Sequence, residues 1–185
     1  MPLDSRVVLQ ILPGLRSYFD QPVHVKVSGL SPDQTVELRS KLIDDKGITF
    51  QASAIFCSDK NGEIDLDTCP SMGGSYSGTQ AMGLFVFMRP VVPHHKIIKR
   101  DASTSLCVDI DLISNGQVLA QKKLERCFMA DGVLKVPVEN EGIRGTLFLP
   151  PGQSLNSYEI LIQYFNRFRA TSVNHTPGSL TEYAP

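Results

Sequence analysis

Hydrophobic residues recur at every second position along much of the chain. Val23, Val25 and Val27 alternate with His24, Lys26 and Ser28, and Val36, Leu38 and Leu42 share one parity against Glu37, Arg39 and Lys41. Phe50, Ala52, Ala54 and Phe56 make one face of a third segment. The clearest case is Leu106, Val108, Ile110 and Leu112 against Cys107, Asp109 and Asp111. Successive side chains of a strand point to opposite faces, so period two predicts strands with one buried and one wet face. Turn residues separate these segments: Gly29–Pro32, Asp44–Gly47, Asp59–Gly62, Asn115-Gly116 and Asp131-Gly132. Asn-Gly and Asp-Gly tolerate the positive φ that tight hairpins require. Val118 to Phe128, Val133 to Val138 and Ile143 to Leu149 add further strands. Short strands at turn-separated intervals predict an all-β antiparallel β-sandwich spanning residues 1–152.

Residues 153–185 change character, and two patterns compete there. Asn156 and Glu159 have the spacing of a helix cap and its N3 partner, with Leu161, Tyr164, Phe165 and Phe168 on one helical face. Arg167 and Arg169 then sit where a helix C-terminus favours positive charge. Tyr158, Ile160, Ile162 and Tyr164 fit a strand instead. From Thr171 onward, Asn174, Pro177, Gly178 and Ser179 predict a loose tail.

Between Gly62 and Pro90, two hydrophobic segments flank a loop of small residues. Ile64 and Leu66 alternate with Glu63, Asp65 and Asp67; Gly73, Gly74, Ser75, Tyr76, Ser77 and Gly78 come next; Leu84 to Met88 is a short apolar run that predicts a buried strand. Glycine and serine together invite a catalytic reading, which the spacing rejects. In G-S-Y-S-G, Tyr76 stands where a nucleophile elbow needs its serine, and no Gly-Lys-Ser/Thr ending marks a phosphate loop. The loop therefore predicts a structural crossing.

Other chemistry is sparse. His94-His95 are adjacent, an awkward ligand pair with no evident third ligand, and predict solvated loop histidines. Lys99-Arg100-Asp101 predict a solvated charge cluster rather than a phosphate site, and Asp109 and Asp111 are expected on a wet face. Cys57, Cys69, Cys107 and Cys127 form no C-x-x-C pair. A Cys57–Cys127 bridge is conceivable on spacing, but the chain has no tryptophan to accompany it as in antibody domains. Catalytic, cofactor and metal residues are all expected to be none.

The chain has 185 residues and 42% hydrophobic content, enough for a real core. A formal net charge of -1 gives no basic field toward nucleic acid or an anionic membrane, so neither is an expected partner. No apolar run reaches the length of a membrane-spanning helix. Asp4 precedes Arg6, Pro13-Gly14 interrupt the first apolar stretch, and the chain ends Tyr-Ala-Pro, so no secretory, transit or peroxisomal address is evident. A cytoplasmic location with reduced cysteines is the expectation.

GEIDLDTCPSMGGSYSGTQAMGL resembles the N-terminal domain of the acyl-CoA thioesterase and bile-acid-CoA:amino-acid N-acyltransferase family. Landmarks in family order extend the likeness over about residues 8–152: Asp20-Gln21-Pro22-Val23, Gly29-Leu30-Ser31-Pro32, Leu42 to Gly47, Lys99-Arg100-Asp101, Glu125-Arg126-Cys127-Phe128 and Arg144 to Gly152. The resemblance implies an immunoglobulin-like sandwich in front of an α/β-hydrolase domain that carries a nucleophilic serine or cysteine, an aspartate and a histidine. It implies acyl-CoA as the substrate of the whole family protein. The segment after Gly152 is shorter than the roughly 100 residues of a typical domain and contains His175 but no aspartate or cysteine. No family catalytic residue can therefore be carried over. The expectation is an accessory domain, inactive alone, with a divergent tail at 153–185. Self-association or packing with a hydrolase domain is the expected partnership, and an interaction module binding a full-length relative is the alternative.

Overall fold

The computed structural model describes residues 7–140, 143–151, 159–163 and 170–174. The chain divides into two compact units, Met1–Phe128 and Met129–Pro185.

In the first unit the opening strand is cut in two. β1 (Val8–Leu12) and β2 (Arg16–Tyr18) flank Pro13-Gly14. Proline removes a backbone donor and glycine frees the turn, so the chain leaves one sheet there and joins another. β1 pairs antiparallel with β3 (His24–Ser28), which pairs with β6 (Ile64–Asp65), giving a three-stranded sheet in the order β1-β3-β6. β2 belongs to the larger sheet, built from β4 (Thr35–Ile43), β5 (Thr49–Cys57), β7 (Gly73–Gly74), β8 (Arg89–Pro90), β9 (Leu106–Ser114) and β10 (Gln117–Cys127). Its order is β2-β10-β9-β4-β5-β7, with β8 also on β5. Asn115 and Gly116, both at positive φ, close the β9–β10 hairpin as the sequence predicts. β2 lies parallel to β10, with Glu125 opposite Arg16 and Cys127 opposite Tyr18. This one parallel pair departs from the fully antiparallel expectation.

The inner faces of the two sheets form one core. Leu9, Ile11, Val25, Val27 and Ile64 of the smaller sheet, with Leu66 just beyond β6, meet Val36, Leu38, Phe50, Phe56, Val108, Ile110, Leu112 and Leu124 of the larger. Every inward parity predicted from alternation is buried. A fully buried side chain of this size contributes about 1.5–3 kcal/mol, so the two faces hold the unit together. Cys107 on the opposite parity is exposed, and Asp109 and Asp111 are half-exposed.

The run Leu84–Met88 is not the strand expected from sequence. Gly83–Val86 is a helical turn, α1. Five apolar residues in a row carry no period of their own, so tertiary contacts decide between strand and helix. Leu84 is fully buried, Val86 is 72% exposed, and the hydroxyl of Ser40, itself fully buried on β4, hydrogen-bonds the Leu84 carbonyl.

In the second unit, β11 (Leu134–Asn140) and β12 (Ile143–Leu149) form a hairpin with Leu134 opposite Leu149. β13 (Glu159–Gln163) pairs antiparallel with β14 (Ala170–Asn174). The strand alternative thus holds over Glu159–Gln163, and no helix forms there. Ala170–Asn174 is a strand rather than loose tail, consistent with its β-branched Thr171 and Val173 at alternate positions. Tyr164, Phe165, Phe168, Arg167 and His175 lie outside the described residues.

Candidate functional site

The glycine loop folds into a clasp against the edge of β5. Gly74 pairs with Ala54, and a side chain at Gly74 would collide with the Ser53 carbonyl. Ser75 donates its N–H to Ser53 O at 2.6 Å, and its Oγ accepts the Ser53 N–H at 3.0 Å. Ser71 Oγ accepts the Gly73 N–H at 3.2 Å and lies 2.9 Å from Gly73 O and 3.1 Å from Tyr76 O. Ser77 is exposed. Tyr76 is the buried plug of the loop, stacked on Phe87 at 5.3 Å between centroids, with its hydroxyl unpartnered. Burial pushes that phenol up to about 12. Ser71 and Ser75 thus hydrogen-bond backbone groups of the loop and of β5.

Three contacts join other landmark segments. Leu30 donates its N–H to Gly62 O at 3.1 Å, and a Cβ on Gly62, at φ 76°, would overlap the Leu30 carbonyl. Asp44 is buried and accepts N–H groups from Lys46 and Ile48 at 2.9 Å and from Ile98 at 3.1 Å. Burial raises its pKa, but those three donors outweigh burial and hold the carboxyl below the usual range. Asp45 is held low by the Arg100 N–H at 2.7 Å and by Lys99 at 3.1 Å. Lys99 is therefore no solvated loop cation. Its side chain is only 12% exposed and also reaches Thr104 at 2.5 Å.

The third joint centres on Arg126. Arg126 is 4% exposed, and its guanidinium donates to Ser17 Oγ at 2.7 Å, Phe19 O at 2.7 Å and Gln21 O at 2.8 Å. It also lies 5.8 Å from the centroid of the Phe85 ring. Burial lowers its pKa, and the charge of Asp20 opposes that shift. The Asp20–Val23 and Glu125–Phe128 landmarks are thus two halves of one contact. The available signal is parity: Arg126 shares the inward face of β10 with Leu124.

The histidines are dispersed. His24 Nδ1 lies 2.5 Å from Asp67 Oδ2 on the outer face of the smaller sheet, a pair that sequence spacing does not single out. His94 and His95 are exposed, as expected. No group of three or more His, Cys, Asp or Glu side chains suited to a metal occurs among the described residues. All four cysteines are free. Cys57 and Cys127 lie on strands of the same sheet, so they cannot make an inter-sheet bridge. A cleft of about 420 Å³ opens beside Arg39, Lys41, Thr49, Gln51, Val91 and Asp111. Its polar groups are partly engaged already, Arg39 with Glu37 at 3.2 Å and Asp111 with Gln121 at 2.7 Å. No described helix is long and apolar enough to cross a membrane.

These features define an all-β sandwich domain whose distinctive residues are joints of the fold. Residues 20–140 match the family described as the acyl-CoA thioester hydrolase/BAAT N-terminal region, and the chain belongs to that family. It is 48% identical over 138 residues to mouse acyl-coenzyme A thioesterase 3, covering 72% of this chain and 32% of that protein. Mouse peroxisomal succinyl-coenzyme A thioesterase is 45% identical over 150 residues, covering 78% of this chain and 36% of the relative. Rat mitochondrial acyl-coenzyme A thioesterase 2 is 42% identical over 152 residues, covering 80% and 34%. The chain spans about a third of the length of these curated relatives.

Proposed function

We propose that this chain is the accessory β-sandwich of an acyl-CoA thioesterase and does not hydrolyse acyl-CoA by itself. Thioester hydrolysis by a covalent route needs an activated nucleophile, a general base and an oxyanion hole in one preorganised site. The observation that carries the reading is the commitment of Ser71 and Ser75 to backbone: Ser75 Oγ accepts the Ser53 N–H, and Ser71 Oγ is enclosed by the loop's own carbonyls. The two neighbouring imidazoles sit on the exposed loop at His94 and His95, and His24 is engaged by Asp67. Acyl-CoA thioesterase activity in the curated relatives supports the substrate class, and the chemistry is assigned to residues outside this sandwich.

The test is thiol release from palmitoyl-CoA by the purified chain, beside a heat-killed control and a Ser75→Ala/Ser77→Ala double variant. No turnover is expected. Saturable release abolished in the double variant would make the glycine loop catalytic and overturn the proposal. A second reading, a binding module for a separate hydrolase domain, draws on the exposed Val86, Val91 and Val92. Co-elution with a separately expressed hydrolase domain, lost on changing those valines to serine, is its expected result.

A further inference from the structure

Cys57 and Cys69 are twelve positions apart in sequence and adjacent in space. Cys57 ends β5, and Cys69 lies in the turn leading from β6 toward the glycine loop. Cys69 Sγ sits 3.7 Å from the carbonyl oxygen of Cys57. Its backbone is pinned, since its N–H donates to Asp65 O at 2.7 Å, and three residues on Met72 donates to Ile55 O at 2.8 Å. The segment 69–72 therefore runs beside 55–57. Cys57 Sγ lies 3.6 Å from the Ser58 carbonyl, and both cysteines are half-buried. These are long, weak S–H contacts, so the fold loses little when either sulfur turns. A disulfide needs Cα atoms about 4.4–6.8 Å apart, and the Cys69 sulfur already touches the backbone of the residue it would bridge to.

The other thiols offer no comparable partner. Cys107 is exposed on β9, two strands from β5, and Cys127 is buried on β10, where it accepts the Arg16 Nε–H at 3.3 Å.

We propose that Cys57 and Cys69 form an oxidisable pair that hydrogen peroxide converts into an intramolecular disulfide. One thiolate attacks a peroxide oxygen, breaks the O–O bond and becomes a sulfenic acid as water leaves. The second thiolate attacks that sulfur, forms the S–S bond and expels the oxygen as hydroxide, which takes up a proton to give a second water. Two electrons pass from the thiols to the peroxide. Burial pushes the Cys69 thiol up, and Cys57, Asp59 and Asp65 add to the shift, so the reaction quickens as pH rises above neutral. The bridge would close residues 58–68 into a loop and fasten the entry of the glycine clasp to β5.

The test treats the full chain with hydrogen peroxide at several pH values, blocks remaining thiols with an alkylating agent, and maps peptides without reductant. The expected product is a cross-linked peptide pair carrying Cys57 and Cys69, lighter by two hydrogens and released by dithiothreitol. Labelling of the two cysteines should fall together, with the chain monomeric on a non-reducing gel. The cross-link should persist in Cys107→Ser and vanish in Cys57→Ser. Alkylation of Cys57 and Cys69 as free thiols while Cys107 is oxidised would overturn the proposal. So would separate sulfinic acids at the two sites, or a bridge that includes Cys107.

Discussion

Replacing Arg126 by methionine removes three hydrogen bonds while keeping the length of the side chain. Two backbone carbonyls, of Phe19 and Gln21, and the Ser17 hydroxyl lose their donor. The Ser17 hydroxyl is buried, whereas the Phe19 and Gln21 carbonyls belong to exposed residues; at about 1–3 kcal/mol for a buried group and less for the others, the sum is roughly 2–5 kcal/mol. The wild-type arginine is itself penalised, because a guanidinium at 4% exposure has given up most of its water. That relief offsets part of the loss, and the net expectation is a loss of about 2 kcal/mol. With a urea slope of about 2 kcal/mol per molar, the unfolding midpoint should fall by about 1 M. Hydrogen exchange adds a local readout: the Phe19 amide, bonded to Cys127 O at 2.8 Å, should lose protection before the amides of β4 and β5. Arg126→Lys keeps the charge but not the planar fork, so about half the loss should remain. A methionine variant within about 1 kcal/mol of wild type, with Phe19 still protected, would refute the assignment of Arg126 as a joint.

The other contacts are open to the same kind of test. Gly62→Ala must place a Cβ on the Leu30 carbonyl at a positive φ, and should cost about 3 kcal/mol in urea unfolding; a neutral result would contradict that close approach. Tyr76→Phe deletes a buried hydroxyl that has no partner, and should stabilise by about 1 kcal/mol, whereas a loss of that size would mean the hydroxyl is satisfied. Asp44 has a folded pKa below its unfolded value, so its contribution is present above about pH 3.9 and is lost as pH falls through the folded value. Tm measured against pH should therefore drop more steeply below about pH 4 in wild type than in Asp44→Asn, which starts lower at neutral pH; parallel curves would contradict the three-donor cradle.

The strands of the sandwich are legible in the sequence because alternation is a local property. Leu106 to Leu112 and Phe50 to Phe56 announce their buried faces without reference to any other part of the chain. The parallel pairing of β2 with β10 is not legible, since nothing within either three-residue run specifies a partner more than a hundred positions away. Leu84 to Met88 misleads because an unbroken apolar run fits both periods, and the deciding contact comes from Ser40 on another strand. Lys99 reads as a solvent-facing charge because its acceptor, Asp45, is remote in sequence. The same non-locality hides the chemistry of the landmarks. Each reads as an isolated motif, and the structure shows that Leu30 with Gly62, Asp44–Asp45 with Ile98–Arg100, and Ser17–Gln21 with Arg126 are each one contact written twice.

The split first strand has a consequence for synthesis. The bond from Arg126 to Ser17 joins residues 109 positions apart, and β2 has no place in the larger sheet until β10 exists. At about 5–20 residues per second a ribosome needs roughly 5–20 s to go from one to the other. During that interval β1, β3 and β6 can pair, and β4 can pair with β5, because all of those segments lie upstream. The segment 15–21 meanwhile emerges with Leu15, Tyr18 and Phe19 and no docking surface. Residues 15–21 are therefore made long before they are fixed, which makes them a natural place for a chaperone to hold a nascent chain.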